Sequence, residues 1–328
     1  MDRPQLLSMT AAEMEEAVGG GFRARQIAEW VRKGADFAEM TNLPKALRAS
    51  LEERFIANPV TIREALVQGE TEKYLYALPD GNVIEGVKLK YHYGSSLCVS
   101  TQVGCAMGCA FCASTLEGCV RNLTSGEMLG QIVAVNRRLQ GAGERLKNAV
   151  LMGSGEPLDN YDHTVRFLRA VNEEKGLNLS LRNVSVSTCG LADQIRRLAE
   201  ENLGITLSLS LHAPNDEIRR QIMPVARRWP LGEVMAAVRE YVKKTGRRVV
   251  FEYALIDRLN SRPEHAAELA ALLRDLQCHV NLIPLNYVDE RALRPASPEA
   301  VQRFLHTLED RHISATVRRE MGSDIGGA

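Results

Sequence analysis

No stretch of this 328-residue chain is apolar for long enough to cross a bilayer, and residues 1–30 contain no hydrophobic core of a signal peptide. Membrane-spanning and secreted classes are set aside on that ground. Charge of one sign is also missing: 41 Lys plus Arg balance 41 Asp plus Glu. Global charge therefore does not advertise a polyanionic partner, and basic stretches such as "KKTGRR" (243–248) and "VRR" (317–319) read as solvated faces. No internal repeat and no low-complexity linker interrupts the chain. What is present is ordinary for a globular protein, with 45% apolar and 25% charged residues. Seven cysteines without a secretory signal read as thiols of a cytoplasmic protein, more suited to metal binding or catalysis than to disulfides.

The pattern along the chain predicts three regions. Residues 1–57 read as a small helical domain: Thr10 and Glu13 have capping-box spacing, "FRARQIAEWV" repeats apolar residues at three and four, and Pro44 suits a first helical turn. Residues 58–96 read as a β-hairpin extension, with "KYLYAL" and "VIEGVKLKY" flanking the turn "PDGN". From residue 97 to 328, six strand-like runs alternate with amphipathic stretches: "SLCVSTQV", "NAVLMGSG", "NVSVSTCG", "ITLSLSLHA", "RVVFEYALI" and "HVNLIPLN". Thr124 and Glu127 form a second capping-box pair before one of those stretches. Six such units are too few for a closed eight-unit barrel, so the expected class is α/β, an open partial (β/α)6 barrel.

Ligands of such folds sit beyond the carboxyl ends of the strands. There the first strand runs into Cys105, Cys109 and Cys112, the second into "GSGEP" (153–157) and the third into "STCG" (187–190). The fourth ends at "SLHA" (210–213) and the sixth at Asn286. Polar and sulfur-bearing residues gather at one rim.

Three cysteines within eight positions admit three readings. They stand at i, i+4 and i+7, the face of a helix on which small buried thiols could pack, but Gly104 and Gly108 argue against a stable helix there. Zinc would need a fourth ligand, from Cys98, Cys119 or His92. An iron–sulfur cluster held by three thiolates would leave one iron open for a substrate or cofactor.

The run Cys-x3-Cys-x-aromatic-Cys, with Phe111 as the aromatic, resembles the radical S-adenosylmethionine (radical SAM) enzymes. The segments "LCVSTQVGCAMGCAFCAS", "RNLTSGE", "MGSGEPLDN", "STCG", "SLHAPNDEIRRQIMP" and "NLIPLN" are similar, in the same order, to the RlmN/Cfr family of adenine RNA methyltransferases. So is the amino-terminal "FRARQIAEWV…DFAEMTNLPKALR", and the likeness runs over about residues 10–328. Pro157 stands where the C8-specific branch carries Ala, which favours the C2-specific branch.

The resemblance implies a 4Fe-4S cluster on Cys105, Cys109 and Cys112, and two molecules of SAM per turnover. It implies SAM contacts from Gly155, Glu156, Ser187, Ser210, Leu211, His212 and Asn286, a proton acceptor at Glu85 and a resolving thiol at Cys98. Its RNA partners would be 23S rRNA and, for some members, the tRNA anticodon loop; an electron donor such as flavodoxin or ferredoxin would supply the reducing electron. C2 of adenine is electron-poor and offers no nucleophile to a methyl cation. The family therefore first methylates a cysteine near its carboxyl terminus. A hydrogen is then removed from that methyl, and the carbon radical adds to C2. The resulting protein–RNA thioether is resolved by a second cysteine, forming a transient disulfide. Cys119, Cys189 and Cys278 read as structural.

In one place the chain departs from the pattern. The family's methyl-carrying cysteine follows a segment like "REMGSDIGGA", and this chain stops at Ala328, one residue before it. The expectation is a sequence cut at this point, able to bind cluster, SAM and RNA but not to complete transfer.

Overall fold

The computed structural model describes residues 3–285, 292–319 and 325. Helix α1 (Ala11–Val18) begins as its capping box dictates: Thr10 accepts the Glu13 N–H at 3.3 Å while the Glu13 carboxylate accepts the Thr10 N–H at 2.7 Å. It stops at Gly19, whose φ of 75° is the left-handed conformation that frees the chain to turn. Helices α2 (Gly21–Arg32) and α3 (Lys45–Arg54) follow. Pro44 takes the cap position rather than the first turn, one residue earlier than the spacing suggests. Met14, Ile27, Val31 and Leu51 turn inward and join one apolar core with the rest of the chain.

The expected hairpin is present with an additional strand. Strands β1 (Thr61–Gln68), β2 (Thr71–Ala77) and β3 (Val83–Tyr91) form an antiparallel meander, with Asp80 accepting the Asn82 N–H in the turn between β2 and β3. Strand β4 (Gly94–Cys98) pairs antiparallel with β3 and parallel with β7 (Leu146–Leu151). It is therefore the strand where the meander becomes a barrel wall.

The run "SLCVSTQV" does not stay one strand. After Cys98 the chain leaves the sheet, and β5 (Gln102–Gly104) pairs with β6 (Cys119–Asn122) as a separate ribbon that encloses the cysteine loop. Beyond it lies α4 (Ser125–Gln140). The wall then continues in parallel through β7, α5 (Tyr161–Val171), β8 (Val184–Thr188), α6 (Ala192–Glu200) and β9 (Thr206–Ser210). The remaining elements are α7 (Asp216–Ile222), α8 (Leu231–Thr245), β10 (Val249–Leu255), α9 (Pro263–Leu273), β11 (Cys278–Pro284), α10 (Pro298–Glu309) and β12 (Ala315–Val317). The six strands expected of an open α/β barrel are thus present, and the three-residue β12 adds a seventh parallel strand beside β11.

Side chains alternate across this wall. Leu97, Val99, Val186, Leu207, Leu209, Phe251 and Leu282 are buried under the helices. The alternate positions are Cys98, Ser187, Ser208, Ser210, Glu252 and Asn281, which line the concave face. That face is polar, with Asn281 donating to the Glu252 carboxylate at 3.1 Å. Among the described residues, no helix is long and apolar enough to cross a membrane.

Thr124 joins the amino-terminal segment to the barrel. Its hydroxyl accepts the Glu127 N–H at 3.1 Å, capping α4, and donates to Gln5 at 2.6 Å. Ser8 accepts the Gly126 N–H at 2.9 Å beside it. Thr124→Ala should therefore destabilise the protein by about 1–2 kcal/mol, seen as a lower midpoint in urea unfolding. An unchanged midpoint would show that the cap carries no stability.

Candidate functional site

The cysteine loop is held open at both ends by backbone geometry. Gly104 has φ 74°, and a Cβ there would come within 2.0 Å of the Gly118 carbonyl oxygen, so the β5–β6 bulge requires glycine. The Cys105 N–H donates to that same carbonyl at 2.8 Å. Inside the loop, the Thr115 hydroxyl bonds the Cys109 and Cys112 carbonyls at 3.1 and 3.0 Å. Two contacts carry the loop to the barrel rim: Ala110 N–H to the Ile222 carbonyl at 2.8 Å, and Ser114 to the Ser154 hydroxyl at 3.1 Å.

Cys105 and Cys109 are buried and Cys112 is half-buried. Burial first, and then neighbours that include Cys112 and Glu156, push the Cys105 thiol up to about 11 and the Cys109 thiol up to about 12. At neutral pH both stay protonated unless a cation stabilises the thiolate. Among the described residues, no three His, Cys, Asp or Glu side chains converge as one metal ion would need. An iron–sulfur cluster binds each thiolate through a different iron, so its ligands stand further apart. A loop of three free thiols that do not converge on one point, two of them costly to ionise without metal, fits such a cluster. All seven cysteines are free, so the described chain holds no disulfide, which corrects that expectation.

The "GSGEP" loop after β7 lies against the strap that joins β4 to β5. Gly155 has φ 109°, and a Cβ on it would lie 2.7 Å from the Gln102 nitrogen and the Thr101 hydroxyl. That buried Thr101 hydroxyl has no partner among the described residues. Glu156 is buried and spans two loops: its carboxylate accepts the Leu158 N–H at 3.0 Å and the Cys189 N–H at 2.7 Å. Burial raises its pKa while these donors lower it. Two occupied sites still leave acceptor capacity on a carboxylate.

Ser187 and Ser210 end neighbouring strands with their hydroxyls 3.4 Å apart. The next residues are locked in place. Leu211 is fully buried and donates its N–H to the Glu252 carbonyl at 3.0 Å. His212 takes a left-handed φ of 55°, unusual for histidine. Its Nδ1 accepts the Ala254 N–H at 2.9 Å, and its carbonyl accepts from Asn260 at 2.8 Å. Burial pushes this imidazole down to about 3, so it is neutral, with its proton on Nε2. Its ring meets Phe111 edge-on at 4.6 Å, which joins the cysteine loop to the "SLHA" segment.

Cys98 sits at the end of β4 on the concave face, buried against Val87 and Leu89. Val87 pairs with Cys98 across the sheet, so Glu85, two residues away on the same face of β3, stands at the rim just beyond it. Glu85 is exposed and forms a 3.0 Å ion pair with Lys73. Asn286 lies outside the described residues. The structure thus gathers the three cysteines, Gly155, Glu156, Ser187, Ser210, Leu211 and His212 around one rim, with Cys98 and Glu85 on the adjoining strands.

Sequence reasoning missed Thr101, Gln102, Lys73, Asn260 and Arg219. The signal for Arg219 was weak but present: it adjoins the Ile218–Ile222 apolar stripe of α7, yet an Arg pair reads as an exposed face.

Residues 99–270 match the model of the radical SAM superfamily, and residues 3–57 match that of the ribosomal RNA large subunit methyltransferase N-terminal domain. The chain is 51% identical over 335 residues to a probable dual-specificity RNA methyltransferase RlmN of Alkaliphilus oremlandii, covering 100% of this chain and 97% of that protein. It is 51% identical to the protein of the same name from Symbiobacterium thermophilum, covering 100% and 91%. A radical SAM methyltransferase from Sphaerobacter thermophilus superposes with a TM-score of 0.96 at 47% identity, covering 99% of this chain and 98% of that one.

Replacing any one of Cys105, Cys109 or Cys112 with Ala should abolish assembly of the iron–sulfur centre, because three thiolates are already the minimum. Iron and acid-labile sulfide assayed after anaerobic reconstitution check this. Full retention in any of the three variants would remove that residue from the ligand set.

Proposed function

The chain belongs to the RlmN family of radical SAM RNA methyltransferases, and from that premise we propose that it methylates C2 of an adenine in 23S rRNA and of one in the tRNA anticodon loop. Its cofactors are those of the family, a 4Fe-4S cluster and SAM. We assign the cluster to Cys105, Cys109 and Cys112, and SAM to Gly155, Glu156, Ser187, Ser210, Leu211, His212 and Asn286. Bound there, the two would together supply a carbon radical able to take hydrogen from an unactivated methyl group. The electron for this would come from a cytoplasmic donor of the flavodoxin or ferredoxin kind.

One observation carries the assignment of roles: the β3–β4 register puts Glu85 and Cys98 on the same face, at the rim where the cysteine loop and the "GSGEP" loop meet. A carboxylate exposed at that rim is placed to take the C2 proton once the carbon bond has formed. Lys73 on the neighbouring β2 pairs with it at 3.0 Å. The thiolate of Cys98, deeper on the same face, would attack the thioether sulfur: a transient S–S bond forms, the S–C bond breaks, and the carbon, keeping that electron pair and taking a proton, becomes the methyl group of the freed RNA. Burial raises the Cys98 pKa while the Arg318 charge lowers it. Only the thiolate attacks, so the rate of RNA release should climb with pH through the neutral range. The barrel's concave face could receive a base taken out of a stack, with Ser187, Ser210, Glu252 and Asn281 offering hydrogen bonds to its edge.

The test uses the full-length protein. Given SAM, a reductant and 23S rRNA, it should yield 2-methyladenosine by mass spectrometry of the digested RNA. Finding 8-methyladenosine instead would overturn the C2 assignment. In that protein, Cys98→Ala should accumulate a covalent protein–RNA adduct that survives denaturation and vanishes on nuclease treatment. Glu85→Gln should slow product formation by about 100-fold or more. Normal turnover by either variant would remove that residue from the mechanism.

A further inference from the structure

Arg219 on α7 is fully buried, at 0% exposure, and is the largest such side chain in the described protein. It does not lie in an ion pair there: its Nη2 donates to the Cys189 carbonyl at 2.6 Å, its Nε reaches the Leu211 carbonyl at 3.4 Å, and its Nη1 has no partner among the described residues. Asp216, one turn earlier on the same helix, instead accepts the Leu231 N–H at 2.8 Å. A buried guanidinium without an anion costs several kcal/mol of lost hydration. A fold that keeps one in place invites a negative charge beside it. The same helix receives the cysteine loop, since Ile222 accepts the Ala110 N–H next to Cys109. A Cβ on Gly108 would already touch Pro224 at 3.4 Å.

We propose that Arg219 is a positioning residue for the cluster: its fixed charge, buried next to the Cys109 segment and lacking a counter-ion, offsets the negative charge of the loaded site and favours its reduced state. This rests on Cys105, Cys109 and Cys112 holding the cluster. Three thiolates outweigh the positive charge of a cubane core, and adding an electron makes the site more anionic still, so a nearby cation stabilises the reduced form more than the oxidised one. One electron enters from a low-potential donor, and no bond forms or breaks at Arg219. The two carbonyls that Arg219 holds belong to the "STCG" and "SLHA" loops, so the charge is fixed by the same segments that border the rim.

The experiment compares reconstituted native protein, Arg219→Lys and Arg219→Met by EPR-monitored redox titration without SAM or RNA, with iron and sulfide assayed in each. Arg219→Met should shift the midpoint to more negative potential, cutting the reduced-to-oxidised ratio at the native midpoint about tenfold, or about 59 mV for one electron. Arg219→Lys, which keeps the charge, should stay near the native value. Loss of the cluster in Arg219→Met with retention in Arg219→Lys also supports the charge role. An unshifted midpoint in a fully loaded Arg219→Met protein overturns it, and so does cluster loss in both variants alike. Weakened SAM binding by equilibrium dialysis at an unshifted midpoint would assign the charge to the SAM carboxylate instead. Native protein that takes up no cluster would refute the cluster assignment itself, separately from the role of Arg219.

Discussion

The site depends on one close approach between two backbones, that of the Ser154–Gly155 loop to the Thr101–Gln102 strap. The Thr101 and Gln102 N–H groups both donate to the Ser154 carbonyl, at 2.8 and 3.1 Å. The fully buried Gln102 side chain closes the arrangement: its oxygen accepts the Glu156 N–H at 2.9 Å, and its nitrogen donates to Asn122 and Asp159. Both segments leave the sheet here, so their backbone groups have lost strand partners and must find others. They find each other. The cysteine ribbon, which begins at Gln102, is thereby set at a fixed offset from Glu156. A side chain at position 155 would push the two apart.

From that contact the remaining loops follow in a chain of buried polar links. Glu156 holds the turn after β8 through the Cys189 N–H, and the Cys189 carbonyl takes a donor from Arg219. Arg219 reaches back to Leu211, and His212 leans on Phe111 in the cysteine loop. The circuit closes on the loop where it began. Its members are buried and mostly satisfied, and such networks are stiff because each lost bond leaves a group unpaired in a low-dielectric interior. The two atoms left over, the Thr101 hydroxyl and Arg219 Nη1, belong to this circuit.

Much of the architecture was legible in the residues. Both capping boxes are where Thr10 and Thr124 put them, because a cap is a local contact between a side chain and the next turn. The six barrel strands were visible as short β-branched and apolar runs. Strand β1 was not, since nearly every residue of "TIREALVQ" is at least partly exposed and a wet edge strand carries no alternation. Strand β12 is three residues long and exists only because β11 offers it an open edge. The break after Cys98 was hidden for the opposite reason: Val99 still donates to the Val150 carbonyl, so the composition of a strand continues after the pairing ends.

By itself the sequence determined the kinds of chemistry available: three thiols in a glycine-flanked loop, a Gly-Glu-Pro turn, and a histidine after a strand. Those are properties of short segments, set by spacing and backbone freedom. Tertiary structure decided which of them meet. Spacing alone gave Glu85 no partner; the Val87–Cys98 register sets it two residues beyond a buried thiol on the same face. Little in the sequence marked Arg219 for the interior, and only the packing of α7 under the cysteine loop took its charge out of water. Register and helix docking are long-range, selected by burying a whole face at once, and no local window of residues records which partner that face will find.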